Sequence, residues 1–323
     1  MDLQLSMLSG RGRRSACKTE KLFPPFQGKS FLHPADIAGR QGGILPGSGI
    51  GDGIPRERER GDGMSLVEVK NVRKVYRVGK EKIVALNHVT LSIEQGEICC
   101  ILGTSGSGKS TLLNVMAGLE RPTKGDILIG GVNIAKLSEK QLALFRQKNV
   151  GFVFQSYNLM PTQTAIENVA MPLMFRGVSK KIRTKEAIKM LKAVQLQKRM
   201  HHKPTQMSGG QQQRVGIARA FVAKPKIVFA DEPTGNLDTH TTKDVMEIMV
   251  KMARKYHETL IIVTHDPEIA EYADRIVTLI DGDVRSDQKN ISILPAEGED
   301  PPQPQQTEQP QRDPTSEAGG KKT

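Results

Sequence analysis

Residues 98–119, ICCILGTSGSGKSTLLNVMAGL, read as a short strand, a glycine-rich turn and a helix. The run ICCIL, preceded by Glu97, is continuously apolar, as strands buried on both faces of a parallel sheet are. It leads into Gly103-Thr104-Ser105-Gly106-Ser107-Gly108-Lys109-Ser110-Thr111. Glycines let backbone N–H groups curl around phosphate oxygens, and the N-terminus of the next helix adds positive potential. In such a loop Lys109 reaches β- and γ-phosphates as a point charge. The Ser110 hydroxyl ligates Mg²⁺, and Thr111 lies near the α-phosphate. A glycine-rich stretch alone is often mere flexibility; the strand before this one and the helix after it make it a phosphate loop.

Outward from that unit, KIVFA (226–230) and LIIVT (260–264) are apolar runs of the same kind, expected as further parallel strands. LVEVKNV (66–72) and VTLSI (89–93) instead alternate apolar and polar residues, as half-buried antiparallel strands do. Between them, 155–222 reads as mostly helical, with apolar steps of three and four over Glu186–Val194 and at Val215, Ala218 and Val222. The expected fold is α/β: a mostly parallel core sheet of the P-loop NTPase kind, with an antiparallel β subdomain and a helical subdomain, over 64–286.

Composition agrees with one such domain. The chain has 323 residues, 37% of them hydrophobic and 25% charged, and a net charge of +12. No run approaches the roughly 18–20 apolar residues of a membrane helix. Cys17, Cys99 and Cys100 offer no disulfide framework, which fits a reduced cytosolic protein. Residues 1–63 hold 12 of the 31 glycines without a hydrophobic period. They are expected to be disordered, or to precede a true start at Met64, because RERERGDG (56–63) would be encoded by purine-rich codons like a ribosome-binding site. The Pro/Gln-rich tail, 287–323, cannot bury enough surface to offset its ordering entropy and is expected to be disordered too. The basic row Lys180, Lys181, Arg183, Lys185 and Lys189 reads first as a solvated helix face, and second as a contact for anionic headgroups or a partner's acidic loop.

Two further groups carry chemistry. The strand 227–230 ends in Asp231-Glu232, and carboxylates at the C-terminal edge of a parallel sheet face the crevice where ligands bind. Asp231 suits an outer-shell partner of Mg²⁺, and Glu232 suits the acceptor of a proton from the attacking water. Met207-Ser208-Gly209-Gly210-Gln211 then breaks one helix and opens another, with Ser208 as its cap and N–H groups free for an anion. One nucleotide cannot sit on both helix starts within a compact subunit. Two copies arranged head-to-tail would let the phosphate loop of one and the Ser-Gly-Gly of the other clamp the same γ-phosphate.

These motifs resemble the ABC-type ATPases, and the resemblance spans the whole middle of the chain. Ser208-Gly209-Gly210-Gln211 resembles that family's signature, with Met207 where leucine is usual. The resemblance implies that Tyr76 stacks on adenine and that Gln155, in VGFVFQSYNLMP (150–161), links the Mg²⁺ site to the helical subdomain. It also implies that Asp238, in Asn236-Leu237-Asp238, lies in a loop crossing the dimer interface, and that His265 contacts the γ-phosphate. QSYNLMPTQTAIENVAMPLMF (155–175) and ADEPTGNLD (230–238) are similar to the macrolide-exporter and lipoprotein-release (MacB/LolD/FtsE-like) branch. That branch implies an ATP-hydrolysing subunit at the cytoplasmic face of the cell membrane. A second copy and an integral-membrane permease would be its partners, and export or mechanical work on lipoprotein, peptide or drug-like substrates its task. Residues 158–175 would form the groove for the permease's coupling helix. The alternative is a soluble ATPase acting on nucleic acid or ribosomes, but the 99 residues between Lys109 and Ser208 are too few for the second ATPase domain or coiled coil usual there; no nucleic acid is expected.

Overall fold

The computed structural model describes residues 65–294. The expectations for 1–63 and for most of the tail lie outside those residues. Strand β3 (Ile98–Leu102) occupies the middle of a six-stranded sheet of order β10-β9-β3-β8-β7-β6. Its neighbours are β8 (Thr259–Thr264) and β9 (Arg275–Ile280), both parallel to it. Beyond β8 lie β7 (Ile227–Asp231) and β6 (Val150–Phe154), again parallel. Strand β10 (Asp283–Lys289) closes the far edge antiparallel to β9.

Burial of this sheet on both faces explains its continuous apolar strands. Along β3, Ile98 and Cys100 point into one core and Cys99 and Ile101 into the other. The adjacent cysteines therefore face opposite ways, and both thiols are free and buried. Burial pushes both thiols up, Cys100 to about 12, which keeps them protonated and unreactive.

One core is roofed by an antiparallel sheet of order β2-β1-β4-β5, in which β1 (Ser65–Val78) pairs with β2 (Glu81–Glu94) and β4 (Lys124–Ile129), and β4 with β5 (Val132–Asn133). Helices α1 (Lys109–Met116) and α2 (Glu139–Asn149) supply residues to the same core. The other core joins the central sheet to α3 (Ala165–Phe175), α4 (Lys180–Ala193), α5 (Gly209–Phe221) and α6 (Thr239–Tyr256). A short α7 (Pro267–Ala270) follows β8. The mixed α/β architecture with antiparallel and helical parts is the one expected.

The folded part runs further than expected. β10 passes residue 286, and beyond it the Ser292 hydroxyl donates to the Tyr272 carbonyl while Asn290 donates to Ala270 and Ala273. Residues 287–294 thus belong to the domain. Their polar sequence hid this because edge-strand pairing is made by backbone groups, not by apolar side chains.

Candidate functional site

The strand ends of β3, β7 and β8 meet at one edge of the central sheet, and each delivers part of the site. β3 releases the chain into the loop 103–108. Gly106 and Gly108 adopt left-handed φ angles of +83° and +98°, which only glycine takes without strain. A Cβ on Gly108 would sit 2.4 Å from the Ala85 carbonyl oxygen, so backbone packing also demands glycine. Gly108 caps α1 without a side chain, and the N–H groups of Lys109, Ser110 and Thr111 have no partner among the described residues. Lys109 is buried, with its Nζ donating to the Thr104 carbonyl at 2.9 Å. The buried Ser107 hydroxyl has no partner among the described residues. Unsatisfied donors around a glycine cradle fit phosphate.

β7 ends at Asp231, whose Oδ1 accepts from the Ser110 hydroxyl at 3.3 Å. Burial pushes the Asp231 carboxyl up, while the Ser110 hydrogen bond pulls it down. Two hard oxygens beside the phosphate loop suit Mg²⁺, which takes few protein ligands and completes its shell with phosphate and water. Among the described residues no three His, Cys, Asp or Glu side chains form a closed metal cage.

Glu232 follows in a left-handed conformation, φ +44°, which for a non-glycine residue stores strain and re-aims the side chain. Its N–H donates to the Val263 carbonyl at 2.9 Å, which fixes it to β8. Oε2 accepts from the Thr264 hydroxyl at 3.2 Å, and Oε1 lies 2.8 Å from Nδ1 of His265. The exposed imidazole thus keeps Nε2 facing outward. Thr264 was absent from the sequence expectations; the only signal was its place before His265 at the end of a buried strand.

Gln155, just past β6, is exposed beside the loop after Glu232. Its carbonyl accepts from Asn236 Nδ2 at 3.0 Å, and its side chain abuts Gly235, where a Cβ would come within 2.6 Å of Nε2. Tyr76 joins the site from β1. Its hydroxyl donates to Glu120 Oε2 at 2.6 Å, and Lys74 Nζ lies 3.0 Å from that carboxylate and 4.9 Å from the ring centroid. Burial and the Glu120 carboxylate push the Tyr76 phenol up while the nearby Thr111 hydroxyl pulls it down, which places the ring beside the first turn of α1. Glu120 and Lys74 were not anticipated, because nothing in local sequence marks residues 44 apart as partners.

The signature stretch forms a second cluster. Ser208 caps α5: its Oγ accepts from the Gln211 N–H at 3.4 Å, and Gln211 Oε1 accepts from the Ser208 N–H at 3.3 Å. The N–H groups of Ser208 and Gln211 are therefore engaged, and Gly209 and Gly210 hold the open ones. Tyr157 and Thr241 crowd these glycines: a Cβ on Gly209 would meet the Tyr157 hydroxyl at 2.7 Å, and one on Gly210 the Thr241 methyl at 2.3 Å. Asp238 caps α6, accepting from the Thr241 N–H at 3.0 Å and hydroxyl at 2.7 Å, bonds that hold its carboxyl low. Among the described residues no hydrogen bond joins 208–211 to the phosphate loop. The two clusters are linked indirectly, through buried Gln213 of α5, which donates to the carbonyl of Pro233, and through Asn236, which donates to that of Gln155.

Residues 86–235 match the family described as ABC transporter. The ABC transporter ATP-binding protein MJ0796 of Methanocaldococcus jannaschii is 44% identical over 228 residues, which cover 69% of this chain and 97% of that protein. The chain belongs to the ABC transporter ATP-binding family. Within it, the lipoprotein-releasing system ATP-binding protein LolD of Geobacter metallireducens is 45% identical, over 69% of this chain and 99% of LolD. The macrolide export ATP-binding/permease protein MacB of Rhodopirellula baltica is 42% identical, over 69% of this chain but 33% of that longer protein. A solved dimeric structure of MJ0796, in a post-hydrolysis state bound to ADP and Pi, superposes with a TM-score of 0.65 at 43% identity. It covers 69% of this chain and 98% of that one. As an ABC cassette, the chain binds nucleotide and hydrolyses ATP. Among the described residues no helix is long and apolar enough to cross a membrane.

Proposed function

We propose that two copies of this chain, joined head-to-tail by ATP, drive a separate integral-membrane permease from the cytoplasmic face of the cell membrane. The observation that carries the reading is the separation of the two phosphate-seeking helix starts. α1 opens beside Asp231, Glu232 and His265, whereas α5 opens beside Asp238 with no hydrogen bond to the first among the described residues. A γ-phosphate on the loop of one copy then meets Ser208 and Gly210 of the second copy, with the Asp238 loop at the joint.

Within one copy, the N–H groups of Lys109, Ser110 and Thr111, at the end of the loop 103–108, cradle the phosphates. Lys109 exchanges the Thr104 carbonyl for the β- and γ-phosphate oxygens. Ser110 and Gln155 would ligate Mg²⁺ with Asp231 as its outer-shell partner, and the ion would there supply charge neutralisation for those oxygens. Glu232, oriented by Thr264 and His265, accepts the proton of the attacking water, and His265 turns Nε2 to the γ-phosphate. With Lys74 over one face of Tyr76, the other face takes the adenine. Positioning and charge stabilisation supply most of the catalysis.

The permease contact fits a groove of about 430 Å³ lined by Phe152, Phe154, Met171, Pro172 and Phe175. It lies between β6 and the helical part, where an amphipathic helix could lay its apolar face. The likeness to LolD and MacB favours export or mechanical work on lipoprotein, peptide or drug-like molecules. It also disfavours the soluble reading with nucleic acid or ribosomes as target. The dimer is tested with Glu232→Gln protein, saturated with ATP and Mg²⁺, in sedimentation velocity. A two-copy species is expected; a single-copy species at saturation overturns the reading.

A further inference from the structure

We propose that the outer face of α4 is a docking surface for an anionic lipid bilayer, separate from any permease contact. Residues 155–222 contain twelve Lys or Arg and two acids, Glu167 and Glu186, so they hold a net charge of +10 against +12 for the whole chain. Five of the twelve are engaged internally. Arg176 donates to the carbonyls of Gln147, Lys148 and Ala223, Arg219 to those of Tyr157 and Asn158, and Arg183 to that of Val178; Arg199 lies 2.9 Å from His202 Nε2, and Arg214 pairs with Asp244 at 3.0 Å. None of the other seven, all lysines, forms an ion pair among the described residues.

The free charges are aligned. α4 buries Ala187, Met190 and Leu191. Its other face presents Lys181, Lys185, Lys189 and Lys192, all exposed, at steps of four, four and three. That spacing sets them in one row about 16 Å long. Ile182 lies beside the row and is 56% exposed.

Helix stability alone argues against this arrangement. Like charges four apart repel, and Lys180, Lys181 and Arg183 in the first turn oppose the helix dipole. α4 has neither an acidic residue there nor a side-chain cap, whereas α2 and α3 start with capping boxes and with Glu139 and Glu167. A helix that breaks local rules its neighbours keep has another use for the charge.

The side chains select the ligand. Lysine is a hydrated point charge on a flexible stem, suited to a diffuse layer of phosphate headgroups. Each such contact strengthens membrane binding by about fivefold. Ile182 can enter the headgroup boundary while the lysine stems spread around it. Proteins that track single-stranded nucleic acid interleave aromatic rings with the charges, and α4 has no aromatic residue.

The test is co-sedimentation of the full-length protein with vesicles of phosphatidylcholine, with and without phosphatidylglycerol. Binding is expected only to the anionic vesicles, and weaker at high salt. K181Q/K185Q/K189Q/K192Q should lose about 600-fold in partitioning, fivefold for each of four lysines, while its ATP hydrolysis in solution stays at the wild-type rate, which reports an intact fold. Arginine at the same four positions should retain binding, and so should the charge-matched control K80Q/K82Q/K124Q/K140Q. Unchanged vesicle binding by the α4 glutamine variant, or equal loss in the control, overturns the proposal. So does tighter binding of an oligonucleotide than of vesicles at the same salt, lost in the same variant.

Discussion

Helices α1 and α5 both start at glycine-rich turns, yet one start is left open and the other is closed. Gly108 offers no side chain, so the first three N–H groups of α1 wait for oxygens from outside the chain. Ser208 and Gln211 instead satisfy each other across the start of α5, leaving only the N–H groups of Gly209 and Gly210. An open start can hold a polyphosphate by itself. A capped one can add donors to a phosphate already held elsewhere, through its hydroxyl and two glycine N–H groups. The difference teaches that the two motifs are unequal halves, one a binding site and the other a clamp.

The largest effect should come from the chemistry beside the open start. Glu232→Gln should slow ATP hydrolysis by about 10²- to 10⁴-fold and leave ATP affinity within a fewfold of wild type. Steady-state hydrolysis and nucleotide titration measure the two separately, and a wild-type rate would remove Glu232 from the base role. Next, Gly108→Ala attacks the open start itself. The added methyl collides with the Ala85 carbonyl at a left-handed φ, so ATP affinity should fall by well over tenfold, with more than about 1 kcal/mol of stability lost.

At the capped start the two roles of Ser208 can be separated. Ser208→Ala should cost about 1 kcal/mol, the usual loss for a missing cap. Aspartate caps as well as serine, so Ser208→Asp should melt near wild type, yet hydrolyse ATP at least tenfold more slowly, because it sets a second anion against the γ-phosphate. Equal activity in Ser208→Asp and wild type would reduce Ser208 to a helix cap.

The last effect, on stability and not on activity, lies at the other end of β8. Glu232 and His265 meet past its C-terminal end, whereas Glu258 precedes its first residue, 4% exposed, with neither carboxylate oxygen hydrogen-bonded among the described residues. Burial pushes the Glu258 carboxyl up to about 8, against the pull of Lys224. The folded chain therefore binds more protons than the unfolded one between about pH 4.5 and pH 8, and stability falls as pH rises through that window. Glu258→Gln should raise Tm at pH 9 and leave it unchanged near pH 4; melting curves at the two values decide it.

Much of the site was legible because its parts are local. Gly103–Thr111 is one strand–loop–helix unit, and Asp231-Glu232 and Thr264-His265 each terminate an apolar run, so spacing alone sets them at the end of a strand. The partners of those groups were not legible. Tyr76 with Glu120 and Glu232 with Thr264 are joined by crossovers, which local periodicity does not encode. Gln211 reads in sequence as one of the groups that meet nucleotide, and the fold gives its N–H and Oε1 to Ser208 instead.

The chain by itself determined its strands, its glycine turns and the chemistry each turn can offer, because burial periodicity and φ requirements act over a few residues. Tertiary structure alone decided that β3 lies between β8 and β9, that Lys109 is buried, and that Gln211 closes the start of α5 while that of α1 stays open. Those outcomes depend on which surfaces are removed from solvent together, a property of the assembled sheets and helices and of no single segment.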